Sequence, residues 1–171
     1  MTDREQRRTG TREFDLVLFG ATGFTGRLVA EYLVKKRPAL RWALAGRSLG
    51  KLERVREELS ALEPSAKELP LVAADSMDRA AMDGLARRTR VVCTTVGPYA
   101  LYGSALLGAC AEQGTDYCDL TGEPHWVREM IDAHHARAAE TGARIVPSCG
   151  FDSIPSDLGV LLLHEQLAAR G

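Results

Sequence analysis

The chain has 171 residues, 45% of them hydrophobic and 26% charged, with a formal net charge of -1. That length suits one domain with a real core. The charge balance offers nothing to nucleic acid or an anionic membrane surface, and no apolar run has the length of a membrane span.

Residues 1–13 are polar and mixed in charge, and they read as a disordered tail ahead of a domain over 14–171. They lack the apolar core of a signal peptide. The first strand-like run is Phe14–Phe19, and a helical pattern follows over about Thr25 to Lys36, stopped by Pro38. The next runs are Arg41–Ala45, Leu69–Ala74, Val91–Val96, Asp116–Leu120 and Ala143–Pro147. Between them lie helical stretches at about Leu49–Leu62, Met77–Ala86, Ser104–Gln113 and Pro124–Thr141, the last two closed by Gly114 and Gly142. A final helix begins near Ser156 or Asp157 and runs to the end. Six strands alternating with helices predict an α/β, doubly wound (Rossmann) fold, a parallel sheet of about six strands with helices on both faces.

The turn Gly20-Ala21-Thr22-Gly23-Phe24-Thr25-Gly26 leaves the first strand and opens the first helix. In that context glycines have specific work: a sharp exit at Gly20, close approach of a pyrophosphate at Gly23, close helix–sheet packing at Gly26. Free N–H groups and the helix dipole would hold the phosphates, with hydroxyl donors from Thr22 and Thr25. At the end of the second strand an NAD-selective site would carry an acid for the ribose diol. Here stand Ala45-Gly46-Arg47-Ser48, with Lys51 one turn on. A guanidinium and a hydroxyl suit a 2′-phosphate, so the expected cofactor is NADP(H).

After the third strand, Asp75 and Ser76 either meet the adenine or cap the next helix. After the fourth, Val96-Gly97-Pro98-Tyr99 lie at the switch point, where backbone atoms should meet the nicotinamide-side ribose. Tyr99 stands either near the transferred hydride or as a surface aromatic on a loop. Tyr32 and Lys36 match the Y-x-x-x-K pair of short-chain dehydrogenases, but they sit on the first helix, away from the catalytic side, and Tyr32 is assigned to the core. Asp119 and Glu123 are paired carboxylates with no acid–base geometry behind them, and no residue is a convincing general acid, so the catalytic residues stay unknown. The cysteines at 93, 110, 118 and 149 read as buried, reduced thiols of a cytoplasmic protein, and with the four histidines they show no metal spacing.

The glycine turn, Ala45–Ser48 and Val96–Tyr99 together resemble the saccharopine-dehydrogenase-like oxidoreductases. So do two more specific stretches, Asp116-Tyr117-Cys118-Asp119-Leu120-Thr121-Gly122-Glu123 and Cys149-Gly150-Phe151-Asp152-Ser153-Ile154-Pro155-Ser156-Asp157. The resemblance is nearest to an actinobacterial branch that includes trans-acting enoyl reductases. It implies an NADP(H)-binding domain serving a reductase whose substrate is a small molecule or an acyl chain on a carrier. The alternatives are an imine reduction of the saccharopine type and a dinucleotide-binding module without catalysis. Members of that family are about twice as long, so a substrate domain is expected to be missing here. The last helix carries Leu158, Val160, Leu161, Leu162, Leu163 and Leu167, apolar on nearly every side. It predicts self-association, or peripheral contact with a membrane.

Overall fold

The computed structural model describes residues 12–36 and 39–169. Pro38 and residues 1–11 of the expected tail lie outside them. The elements, in order, are β1 (Phe14–Phe19), α1 (Phe24–Lys36), β2 (Trp42–Gly46), α2 (Leu49–Leu62), a 3-10 turn (Pro64–Glu68) and β3 (Leu71–Ala73). Then come α3 (Arg79–Arg88), β4 (Thr89–Thr94), a one-turn α4 (Tyr99–Tyr102), α5 (Ser104–Gln113), β5 (Asp116–Cys118), α6 (Pro124–Thr141), β6 (Ile145–Val146) and α7 (Ile154–Ala168).

The six strands form one sheet in the order β3-β2-β1-β4-β5-β6, with every neighbouring pair parallel. The chain starts in the middle, winds outward to β3, returns across β1 and winds outward again. This is the doubly wound order the alternation predicts, and it leaves a crevice where the winding reverses between β1 and β4.

Alternate residues along each strand feed two separate cores. Val17 and Phe19 join Ala43, Val92, Leu106, Leu107 and Tyr117 under α3, α5 and α6. Leu18 joins Trp42, Leu44, Leu52 and Val55 under α1 and α2. β3 and β6 are shorter than their apolar runs. β3 begins only at Leu71, since Pro70 has no N–H to give to a ladder.

Three features differ from the sequence expectation. Tyr32 is 55% exposed rather than core. α1 buries Gly26, Ala30, Leu33 and Val34, because close contact at Gly26 turns the small side of the helix to the sheet. Cys149 is exposed, since it follows β6 in a loop, while Cys110 is buried and Cys93 and Cys118 are partly covered. Arg12 and Glu13, expected in the tail, are fixed. The Arg12 guanidinium donates to the carbonyls of Ala86 (2.8 Å) and Arg87 (2.7 Å) near the end of α3, and of Gln113 (2.8 Å) at the end of α5. Those carbonyls have no intrahelical donor, so a cation is a fitting cap. Glu13 accepts two hydrogen bonds from Arg88 (2.7 and 2.9 Å).

Candidate functional site

The turn after β1 can only be made with glycine at two of its corners. Gly20 has φ +95°, and a Cβ there would lie 2.8 Å from both Thr95 Oγ1 and Val96 Cγ2. A Cβ at Gly26 would overlap the Gly20 carbonyl. The Gly23 N–H donates to Gly20 O (3.0 Å), which closes the turn, and the Arg27 N–H donates to Gly23 O (3.0 Å), which starts the helix ladder. The N–H groups of Phe24, Thr25 and Gly26 belong to the first turn of α1 and have no intrahelical acceptor, which makes this end of the helix electropositive.

A cleft of about 230 Å³ opens over the C-terminal ends of β1, β2 and β4. Gly20, Thr22 and Gly23 form its middle. Arg47 and buried Ser76 stand at the β2–β3 end, and Thr95, Val96, Gly97 and Tyr102 at the β4 end. Among the described residues Arg47 has no carboxylate partner, and its guanidinium is exposed at the cleft. A cradle closed to side chains at the turn and an unpaired cation at one end are what a phosphate-rich dinucleotide needs.

Of the residues singled out from the sequence, the cleft brings together Gly20, Thr22, Gly23, Arg47, Ser76, Val96 and Gly97. Gly26 lies behind the turn and serves packing. Phe24 points out at 82% exposure, and Thr25 is exposed beside it. Ser48 is the N-cap of α2, with its hydroxyl free of a cap hydrogen bond, and Lys51 is exposed one turn along. Pro98 is the residue that starts α4. Neither Asp75 nor Ser76 caps α3. Asp75 accepts from the Met77 N–H (3.0 Å) in a local turn, and Asp78 is the cap, accepting from the Ala81 N–H (3.1 Å).

Tyr99 neither lines the cleft nor lies on the surface. It is buried, its hydroxyl donates to Thr94 O (3.1 Å), and its ring lies 5.6 Å from that of Trp126. Burial pushes its phenol up to about 12. Trp126 stands on α6, far along the chain, and no local pattern reveals it. The aromatic in the cleft is Tyr102, three residues on. Its signal was the one-turn helix bounded by Pro98 and Gly103.

Asp119 and Glu123, the two carboxylates considered for acid–base work, hold the scaffold instead. Asp119 is buried and accepts from the Tyr117 hydroxyl (2.8 Å) and from the N–H groups of Thr121 (3.0 Å) and Ser148 (2.8 Å). Glu123 accepts from the N–H groups of Tyr99 (2.7 Å) and Ala100 (2.9 Å) at the start of α4. Glu123 thus braces the segment that follows the switch point, while Asp119 ties the end of β5 to the loop after β6.

No helix among the described residues is long and apolar enough to cross a membrane. The chain is 52% identical over 156 residues to a trans-acting enoyl reductase of Mycobacterium leprae, covering 91% of this chain and 37% of that protein. It is 51% identical over 160 residues to a trans-acting enoyl reductase of Mycobacterium ulcerans, covering 94% and 38%. The chain thus spans well under half the length of these relatives. Among solved structures, a saccharopine dehydrogenase (L-Glu forming) from Saccharomyces cerevisiae matches with a TM-score of 0.65 at 17% identity, over 82% of this chain and 28% of that one. A β-ketoacyl-[ACP] reductase from Bacteroides thetaiotaomicron matches at 0.55 and 14%, over 77% and 74%. At such identities the likeness is one of fold. The family model described as saccharopine dehydrogenase NADP binding domain matches residues 16–146, and the chain belongs to that family.

Proposed function

We propose that this chain is the NADP(H)-holding unit of a reductase acting on the double bond of an enoyl, polyketide-like acyl chain carried on a partner protein. The observation that carries the cofactor half is Arg47, a cation without a carboxylate partner among the described residues, at the end of β2 where an NAD-selective site would place an acid. Arg47 holds the 2′-phosphate, with Ser48 and Lys51 as further donors to it. The first-turn N–H groups of α1 and the Thr22 hydroxyl hold the pyrophosphate. Ser76 meets the adenosine, and Val96–Pro98 meet the nicotinamide ribose. When bound, the cofactor supplies the hydride, and the chain's own residues hold and orient it. The enoyl substrate is supported by relatives at 51–52% identity that carry that name. The same reading assigns self-association to α7, none of whose residues is buried.

Titration of NADPH and NADH against the wild type and Arg47→Asp tests the cofactor half. The wild type should prefer NADPH, and Arg47→Asp should cost NADPH binding roughly 1.5–3 kcal/mol, the worth of a charge-assisted phosphate contact. Equal affinity of the wild type for both cofactors would sink the assignment. Consumption of NADPH with a carrier-bound enoyl thioester, and none with a lysine–keto acid imine, is the expected result for the substrate half; the reverse pattern rejects it.

A further inference from the structure

α4 is a single turn, and it is fixed from behind at both ends. The Glu123 carboxylate holds its first two N–H groups. The Tyr99 hydroxyl ties the turn to the end of β4 through Thr94 O, and the Tyr99 ring rests on Trp126. At the far end Gly103 leaves no room, since a Cβ would lie 2.7 Å from the Trp126 ring and 2.9 Å from Tyr99 O. Trp126 is itself held by its indole N–H, which donates to Ser104 Oγ (3.0 Å). A turn braced this way delivers its last side chain, Tyr102, in one direction.

That direction is the cleft. Tyr102 lines it together with Thr95, Val96 and Gly97, at the end opposite Arg47 and Ser76. Its hydroxyl has no hydrogen-bond partner among the described residues. A half-buried ring that lines the cleft is suited to a flat aromatic ligand group. In a doubly wound fold the ligand lies across the switch point, so a dinucleotide with its 2′-phosphate at Arg47 brings its other half to the β4 side.

Resting on the NADP(H) reading above, we propose that the ring of Tyr102 is the side chain that meets the nicotinamide half of the cofactor. Glu123 and Trp126 are the positioning residues that aim it. Arg47 and Tyr102 then govern the two ends of one ligand independently.

The test compares NADPH with 2′,5′-ADP, which keeps the adenosine 2′-phosphate and lacks the nicotinamide half. Tyr102→Ala should weaken NADPH about tenfold, as loss of an aromatic contact does. It should leave 2′,5′-ADP unchanged. Tyr102→Phe keeps the ring and should bind NADPH within about threefold of the wild type. Tyr102→Ala binding NADPH as the wild type does, or losing both ligands in parallel, overturns the inference while the NADP(H) reading stands. A wild type that binds neither ligand overturns both.

Discussion

α5 and α7 are both apolar helices, yet their fates are opposite. α5 buries Leu106, Leu107, Gly108, Ala109, Cys110 and Ala111 out of ten residues, and α7 buries none of fifteen. α5 lies between α3 and α6 on one face of the sheet, so neighbours meet it on several sides. α7 follows β6 at the sheet edge, and Leu158, Leu161, Leu162 and Leu163 stay more than half exposed. Apolar composition sets a demand for burial, while the winding order decides whether a partner is there to meet it.

The largest expected difference comes from deleting one leucine in each helix. Leu107→Ala, at a site 2% exposed, should cost roughly 2–5 kcal/mol in urea unfolding through lost transfer energy and the cavity left behind. Leu162→Ala, at 56% exposure, should cost under about 0.5 kcal/mol. Equal losses would break the contrast. Next in size is Gly26→Ala, in the tightly packed half. The added methyl meets the Gly20 backbone, so stability should fall by roughly 1–3 kcal/mol and NADPH binding should be lost with it. Unchanged NADPH affinity in that variant would separate the turn from the site.

For α7 the readout is association. Concentrated wild type should sediment above the monomer, and Leu158→Glu with Leu162→Glu, one turn apart on the helix, should return it to monomer. A wild type that is cleanly monomeric at high concentration would show that α7 tolerates exposure.

The smallest effect lies at the rim. The Arg41 guanidinium hydrogen-bonded to Asp15 holds that carboxyl below the usual carboxylate range, as Arg88 does for Glu13. A depressed folded-state value contributes stability above the unfolded value, and that contribution is lost as pH falls through the folded one. Both pairs are solvent-screened, so Arg41→Gln should flatten the acid limb of a stability–pH curve only slightly.

Much of the body could be read before the structure, and the reason is local chemistry. α6 is bounded by a leading proline and a left-handed Gly142, which act within a few residues. The glycine turn and Arg47 are legible because a strand end and a helix start fix where they must lie. What escaped depends on distant parts of the chain. Tyr32 follows an apolar spacing along α1, but contact between Gly26 and Gly20 decides which side of that helix is inward. Tyr99 and Tyr102 are three residues apart, and Trp126 decides which is buried. α4 is too short for a hydrophobic period. Ser153 and Pro155 start α7 earlier than Ser156, because proline at a first helical turn needs no N–H partner.

The glycine turn, Arg47 and the Thr95–Tyr102 segment are proposed to form one NADP(H) site. Mapping backbone amide shifts by heteronuclear NMR during NADPH titration tests it most directly. Shifts should concentrate at residues 20–26, 46–48 and 95–102. A second groove, apolar and lined by Trp126, Met130 and His134 on α6, should stay silent. Shifts clustered in that groove, with the glycine turn unperturbed, would place the cofactor elsewhere and overturn the assignment.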